Sequence, residues 1–272
     1  MLAAIFLLAQ VTQGTPVLPL ATPVPSPLPG APRRPPIVNF DVGGSNSYLN
    51  HGKGRWESGY FNTVYEAPSG FKVHLDAVND VRFGSSTNAY AGGVDVPTGH
   101  PNGSLHLGYG VSSKNSVVPT NAFLAGYDLR TGGGWSYQVG YVGRDFSSAS
   151  AASYGFGVAK HWGNQQLGYF VDLSTVSNKT GLGIVQGLRW ATHSAADDVT
   201  LTADAGRGAE STARNRVAIH DVVGLDADEL HWLDPHTAVR LNVGYFSVTP
   251  PYQRFLVLLG LRVRVGNLSF GR

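Results

Sequence analysis

The sequence predicts an all-β protein: a closed antiparallel up-and-down barrel of about fourteen strands, with about twelve as the alternative count, set in a bacterial outer membrane. Three observations predict it. From Ile37 almost to the C-terminus, apolar and polar residues alternate in runs broken by Gly, Asn, Ser and Pro, the pattern of successive antiparallel strands. Charged residues make up 14% of the chain and glycine 35 of 272 residues, against roughly 25% and about 7% in an ordinary soluble domain. The polar side of each strand carries charge and glycine, whereas a soluble sandwich buries its apolar side and covers its solvent face with Lys and Glu. A barrel with lipid outside and water inside has this distribution.

No apolar run approaches the ~18 residues of a spanning helix, so only a closed barrel could cross the membrane. The formal charge of +2 is small and scattered, which excludes a nucleic-acid surface. With no cysteine there are no disulfides or thiolate metal sites.

Residues 1–15 open on an apolar stretch followed by small polar residues, a signal peptide lacking its basic n-region. Residues 16–36 hold nine prolines and form an extended, disordered spacer. Residues 37–272 form the barrel. The first strands run from Ile37 to Leu49 and from Arg55 to Ala67, and Pro68-Ser69-Gly70 turns into the third. There Phe71, Val73, Leu75, Ala77, Val81 and Phe83 oppose Lys72, His74, Asp76, Asp80 and Arg82. Asn88–Val96, Leu105–Val111 and Asn121–Arg130 follow, and Thr131–Gly134 closes a hairpin. Trp135 to Tyr141, Tyr154 to Val158, Leu167 to Leu173, Leu182 to Trp190 and Val199 to Ala205 continue the alternation.

The twelfth strand spans Arg214–Leu225, with Asp221 on its otherwise apolar side, which implies either a position near a membrane boundary or a different register. Ala238–Ser247 precedes the closing strand, Tyr252–Val265. In that strand Phe255, Val257, Leu259, Leu261, Val263 and Val265 face lipid, opposite Arg254, Gly260, Arg262 and Arg264. Its length suits the ~9–11 residues of a tilted spanning strand. Trp135, Tyr137, Tyr141, Tyr154, Trp162, Tyr169, Trp190, Tyr245 and Tyr252 are expected to form the girdles at the headgroup level.

From about Phe40 to Val265 the chain resembles the YaiO family of outer-membrane barrels. The resemblance rests on Trp56 and Tyr60, Arg82-Phe83-Gly84 with Tyr90, Gly206-Arg207-Gly208, and Gly260-Leu261-Arg262-Val263-Arg264-Val265. It implies fold and location, and recognition of the last strand by the barrel-assembly machinery. Val263 and Val265 stand where that signal has aromatics, and Phe270 is the alternative terminal aromatic.

No catalytic residue, cofactor or metal site is expected. His193-Ser194 falls in a turn, where the two side chains diverge, and His51 with Asn50 fares no better. Asp226, Asp228, Glu229, His231, Asp234 and His236 lack the glycine and spacing of a calcium loop and read as a solvated acidic turn. Gly155-Phe156-Gly157 and Gly181-Leu182-Gly183 lack the strand-turn-helix setting of a dinucleotide site. They make room inside a barrel.

The inward positions carry Asp76, Asp80, Arg82, Asp128, Arg130, Arg189, Asp204, Arg216, Arg240, Arg254, Arg262 and Arg264. This mixed set leans cationic toward the C-terminal strands. In a water-filled lumen it would favour small anionic or sugar-like solutes; in a plugged one it would form structural ion pairs. The sequence thus points to a passive pore or an envelope-structural barrel whose partners are outer-membrane lipids. A lipid-acting barrel enzyme and a soluble β-rich binding protein are the alternatives.

Overall fold

The alternating segments become fourteen strands: β1 (Ile37–Leu49), β2 (Arg55–Glu66), β3 (Lys72–Arg82), β4 (Ser85–Pro97), β5 (Gly103–Ser112), β6 (Asn121–Thr131), β7 (Trp135–Asp145), β8 (Ser150–Trp162), β9 (Gln165–Val176), β10 (Gly183–His193), β11 (Asp197–Ala213), β12 (Arg216–Trp232), β13 (Thr237–Thr249) and β14 (Tyr252–Val265). In the computed structural model each strand pairs with its sequence neighbours, and β1 pairs antiparallel with β14, so the sheet closes into a barrel. The structure describes residues 35–50, 55–82, 84–98, 102–113, 118–177, 180–213, 216–249 and 252–266. The signal segment, all but two residues of the spacer, His51 and Phe270 lie outside these residues.

Strand β12 runs seven residues past the expected end at Leu225. Asp226 and Asp228 pair there with Gly244 and Asn242 of β13, so the stretch read as an acidic turn is strand as far as His231, and Asp234 and His236 lie in the turn that follows. A sheet that satisfies its backbone in the ladder accepts carboxylates on a wall that does not face lipid.

The register sets the geometry of the lumen. Register partners lead from Ile37 through Glu66, Lys72, Asp95, His106, Gly126, Gly140, Gly155, Asp172, Val185, Gly206, Val222 and Val248 to Tyr252. Tyr252 lies just beyond Arg254, the partner of Leu49. One circuit therefore climbs the length of β1, about one residue per strand, the stagger that tilts barrel strands by about 35–45°.

Outward positions are apolar and exposed, among them Phe40, Leu75, Phe123, Phe156, Leu188, Leu201, Leu225, Val243, Phe255 and Leu259. Monomers surrounded by water do not carry so continuous an apolar belt. Trp135 and Trp162 sit at strand ends, with Lys160 Nζ 5.1 Å from the Trp135 ring. Asp221 opposes Thr249 at the end of β13 and pairs with Arg207 at 3.5 Å, a boundary position on the outer face. Tyr252 departs from the expected girdle. It is buried against Trp56 inside the barrel.

At the closing seam Gly43 opposes Gly260, and Tyr60 of β2 lies over both. A Cβ on Gly43 would overlap the Leu259 carbonyl oxygen and lie 2.7 Å from Tyr60 Oη, and one on Gly260 would overlap the same phenol oxygen. Overpacking of this kind costs about 1–3 kcal/mol. Gly43→Val is therefore expected to lower the temperature at which the folded, fast-migrating band is lost on a detergent gel. Gly59→Ala serves as the control, because a Cβ there reaches only a backbone oxygen at 4.0 Å.

The lumen as candidate functional site

Alternation turns one face of every strand into the inner wall. Asp76, Asp80, Arg82, Asp128, Arg189, Asp204, Arg240, Arg254 and Arg262 lie buried on that face, and Arg130 and Arg264 are half-buried near the end that carries the termini. The Arg216 side chain lies outside the described residues. The fold joins several of these to partners. Arg262 donates to Asp41 through Nε at 2.5 Å and Nη2 at 3.2 Å, and Arg240 to Asp228 at 2.7 and 3.2 Å. Arg82 Nε lies 2.5 Å from Asp80, and Asn62 donates to Asp76 at 2.5 Å.

Much of this wall lies beyond the residues singled out from the sequence. Asp41, Glu66, Asp95, Asp172, Asp198, Glu210, Asp226 and Asp228 share the inward face, so among the described residues carboxylates outnumber Lys and Arg there. The wall as a whole is therefore not cationic, while β13 and β14 carry Arg240, Arg254, Arg262 and Arg264 and no inward carboxylate. Strand parity could have found Asp41, between Phe40 and Val42, and Asp172, between Val171 and Leu173.

Three tiers follow along the lumen. At the end away from the termini, Trp56 stands between Arg82 and Arg254, whose guanidinium carbons are 4.5 and 5.2 Å from its ring centroid. Arg254 also covers Phe246 at 4.8 Å. Leu49, Val185, Val222, Val248 and Tyr252 form one buried cluster with Trp56. Since β2 and β10 lie far apart around the circuit, this cluster reaches across the lumen. The middle tier holds Asp172, Asp204, Asp226 and Arg189, together with the Arg240–Asp228 pair.

Toward the termini a chain of contacts crosses four strands. His74 Nε2 meets Asp95 Oδ2 at 2.9 Å, Asp95 Oδ1 meets His106 Nδ1 at 2.8 Å, and His106 Nε2 meets Asp128 Oδ2 at 2.8 Å. Nearby, Ser136 bonds His161 at 2.9 Å, and His193 bonds Asp198 at 3.0 Å.

Side chains fill the bore. Asp41, Asn62, His74, Asp128, Arg144, Asp172, Arg189, Arg240 and Arg262 come from strands all around the circuit, and each is 9% exposed or less. A wide aqueous pore would leave such groups in water, so the lumen is narrow. The other candidates dissolve on inspection of their contacts. Ser194 Oγ accepts from the amides of Asp197 at 2.7 Å and Ala196 at 3.2 Å, capping its turn, while His193 turns to Asp198. Asp197, Glu229 and His231 come within 4.8 Å of one another on the outer face, where His231 Nδ1 bonds Asp197 at 2.6 Å.

An apolar exterior around a charged interior, in a closed antiparallel barrel, defines an outer-membrane β-barrel protein. No family model matches the chain, and no curated protein matches it in sequence. Solved structures share the fold. The CymD monoaromatic hydrocarbon channel superposes with a TM-score of 0.55 at 6% identity, covering 86% of this chain and 89% of that one. The Acinetobacter baumannii outer membrane protein Omp33 gives 0.50 at 12%, covering 84% and 99%. A bacterial polysaccharide outer membrane secretin gives 0.50 at 12%, covering 84% and 98%. At these identities the likeness is one of fold.

Removing one member of a buried ion pair strands the other and costs about 3–5 kcal/mol. Arg262→Ala is accordingly expected to lower the urea midpoint of the folded barrel, and the double variant Asp41→Leu/Arg262→Met to recover most of the loss.

Proposed function

We propose that the chain is a passive outer-membrane channel of narrow bore, closed down by its own side chains. The observation that carries this reading is the inner wall, which is charged and glycine-studded from one end of the barrel to the other. An envelope-structural barrel is the second reading, favoured by the ion pairs Arg262–Asp41 and Arg240–Asp228, which bridge strands. The YaiO resemblance belongs to this proposal on the same residues as before, of which Trp56 and Tyr60 lie in the lumen. So do export through residues 1–15, a spacer at 16–36, contact with outer-membrane lipids and recognition of β14 by the barrel-assembly machinery.

The chain acts without catalysis on this reading, because His193 and Ser194 each bond elsewhere. Charge on the lumen wall governs which small solutes pass. Folded protein in planar bilayers is expected to give small, discrete current steps, and Trp56→Ala larger ones, since that ring closes the upper tier. Silence from both folded proteins would leave the structural role.

A further inference from the structure

The stagger allows residues of one height to be picked out, because the register climbs about one residue per strand. At the height of Asp172 on β9, β11 presents Asp204 and β12 presents Asp226. The other strands bring Ser45, Tyr60, Leu124, Val142 and Leu258, or glycine and small apolar residues, to that height. These three aspartates are its only charges among the described residues.

The neighbours in the hydrogen-bonded rows bring no charge to the carboxylates. Asp172 is flanked by Gly155 and Val185, Asp204 by Gly187 and Gly224, and Asp226 by Thr202 and Gly244. A Cβ on Gly224 would overlap Asp204 Oδ1, so that carboxylate lies across the bare backbone of β12. Asn242 donates to both Asp226 oxygens at 3.0 and 2.9 Å. Asp172 and Asp204 are 3% and 8% exposed, and the Oδ2 atom of each has no hydrogen-bond partner among the described residues. Arg189, one inward step toward the termini on β10, interacts with all three carboxylates. Arg144, on the other side, also interacts with Glu210. Arg144 also acts on Asp172 and Arg240 on Asp226, but Glu210 and Asp228 accompany those two arginines, so five carboxylates face three arginines around the ring.

We infer that Asp172, Asp204 and Asp226 form a cation site at mid-lumen, which makes the channel prefer small cations over the anionic or sugar-like solutes expected from the sequence. Carboxylate rings set cation preference in narrow pores, where solutes pass within reach of every fixed charge. Paired Asp41, Asp80 and Asp228 contribute little, because their arginines accompany them. This inference rests on the channel reading.

Two measurements on the folded full chain separate the two proposals. Under a KCl gradient in planar bilayers, the wild type is expected to reverse on the cation-preferring side of zero, and Asp172→Asn/Asp204→Asn/Asp226→Asn to shift toward zero. In detergent, with Glu229→Gln removing the exterior cluster, terbium emission excited through the protein's aromatics is expected to report binding. The triple change should weaken it roughly tenfold or more. Current with the same reversal potential in both proteins would overturn the ring and leave the channel. Terbium binding that depends on the three aspartates, without current, would overturn the channel and leave the site. Neither signal would overturn both. Heat-modifiable migration checks folding, and Asp204→Asn alone carries both measurements where the triple variant does not fold.

Discussion

Closure of β14 onto β1 is the constraint on which the rest of the molecule depends. Until Arg262 meets Asp41, across 221 residues of sequence, two strands carry unpaired backbone groups, which the hydrocarbon core does not tolerate. The seam is built for its place. Arg264 reaches Asn39 at 3.1 Å, Arg262 grips Asp41 with two hydrogen bonds, and Gly43 and Gly260 lie bare beneath Tyr60. At its far end Asn50 and Gln253 bond through side chains and backbone. The same register sets the stagger, and the stagger decides which side chains share a height in the lumen.

The glycine content follows from how that lumen is packed. Long inward side chains lie over the neighbouring strand, and the strand beneath has glycine there. Phe170 covers Gly187, Asp204 covers Gly224, and Tyr60 covers both seam glycines. A wall made this way fills a large circumference with few long residues. It also lays the Asp204 carboxylate against the backbone of β12, in a middle tier where carboxylates outnumber arginines although arginines occur throughout the wall.

Much of the fold was legible because alternation is a local property. The bounds of β14 and its two faces followed from the residues themselves, as did the fourteen segments and the inward aspect of Asp76, Arg82 and Arg240. What escaped was non-local or masked by polarity. The end of β12 was hidden because Asp226, Asp228, Glu229 and His231 look like a turn when no wall is in view. Tyr252 resembled a girdle aromatic, since a ring's burial depends on which face the register assigns it. The chain from His74 through Asp95 and His106 to Asp128 draws one residue from each of four strands. No spacing in the sequence announces it, although parity within each strand would have put all four on the inner face.

Short connections bear on how such a channel could open. β8 reaches β9 through Gly163 and Asn164, a connection too short to fold into the bore. The strands are fixed by the closed ladder. Side-chain rotation in the tier away from the termini would widen the bore without moving the ladder. Trp56 is kept by two arginine stacks, each worth about 0.5–2 kcal/mol, and by apolar contacts that a rotamer change would exchange for others. The Arg240–Asp228 pair of the middle tier is tied by two hydrogen bonds and resists such a change. A bore that narrows at Trp56 and discriminates at the aspartates therefore separates its movable part from its selective part.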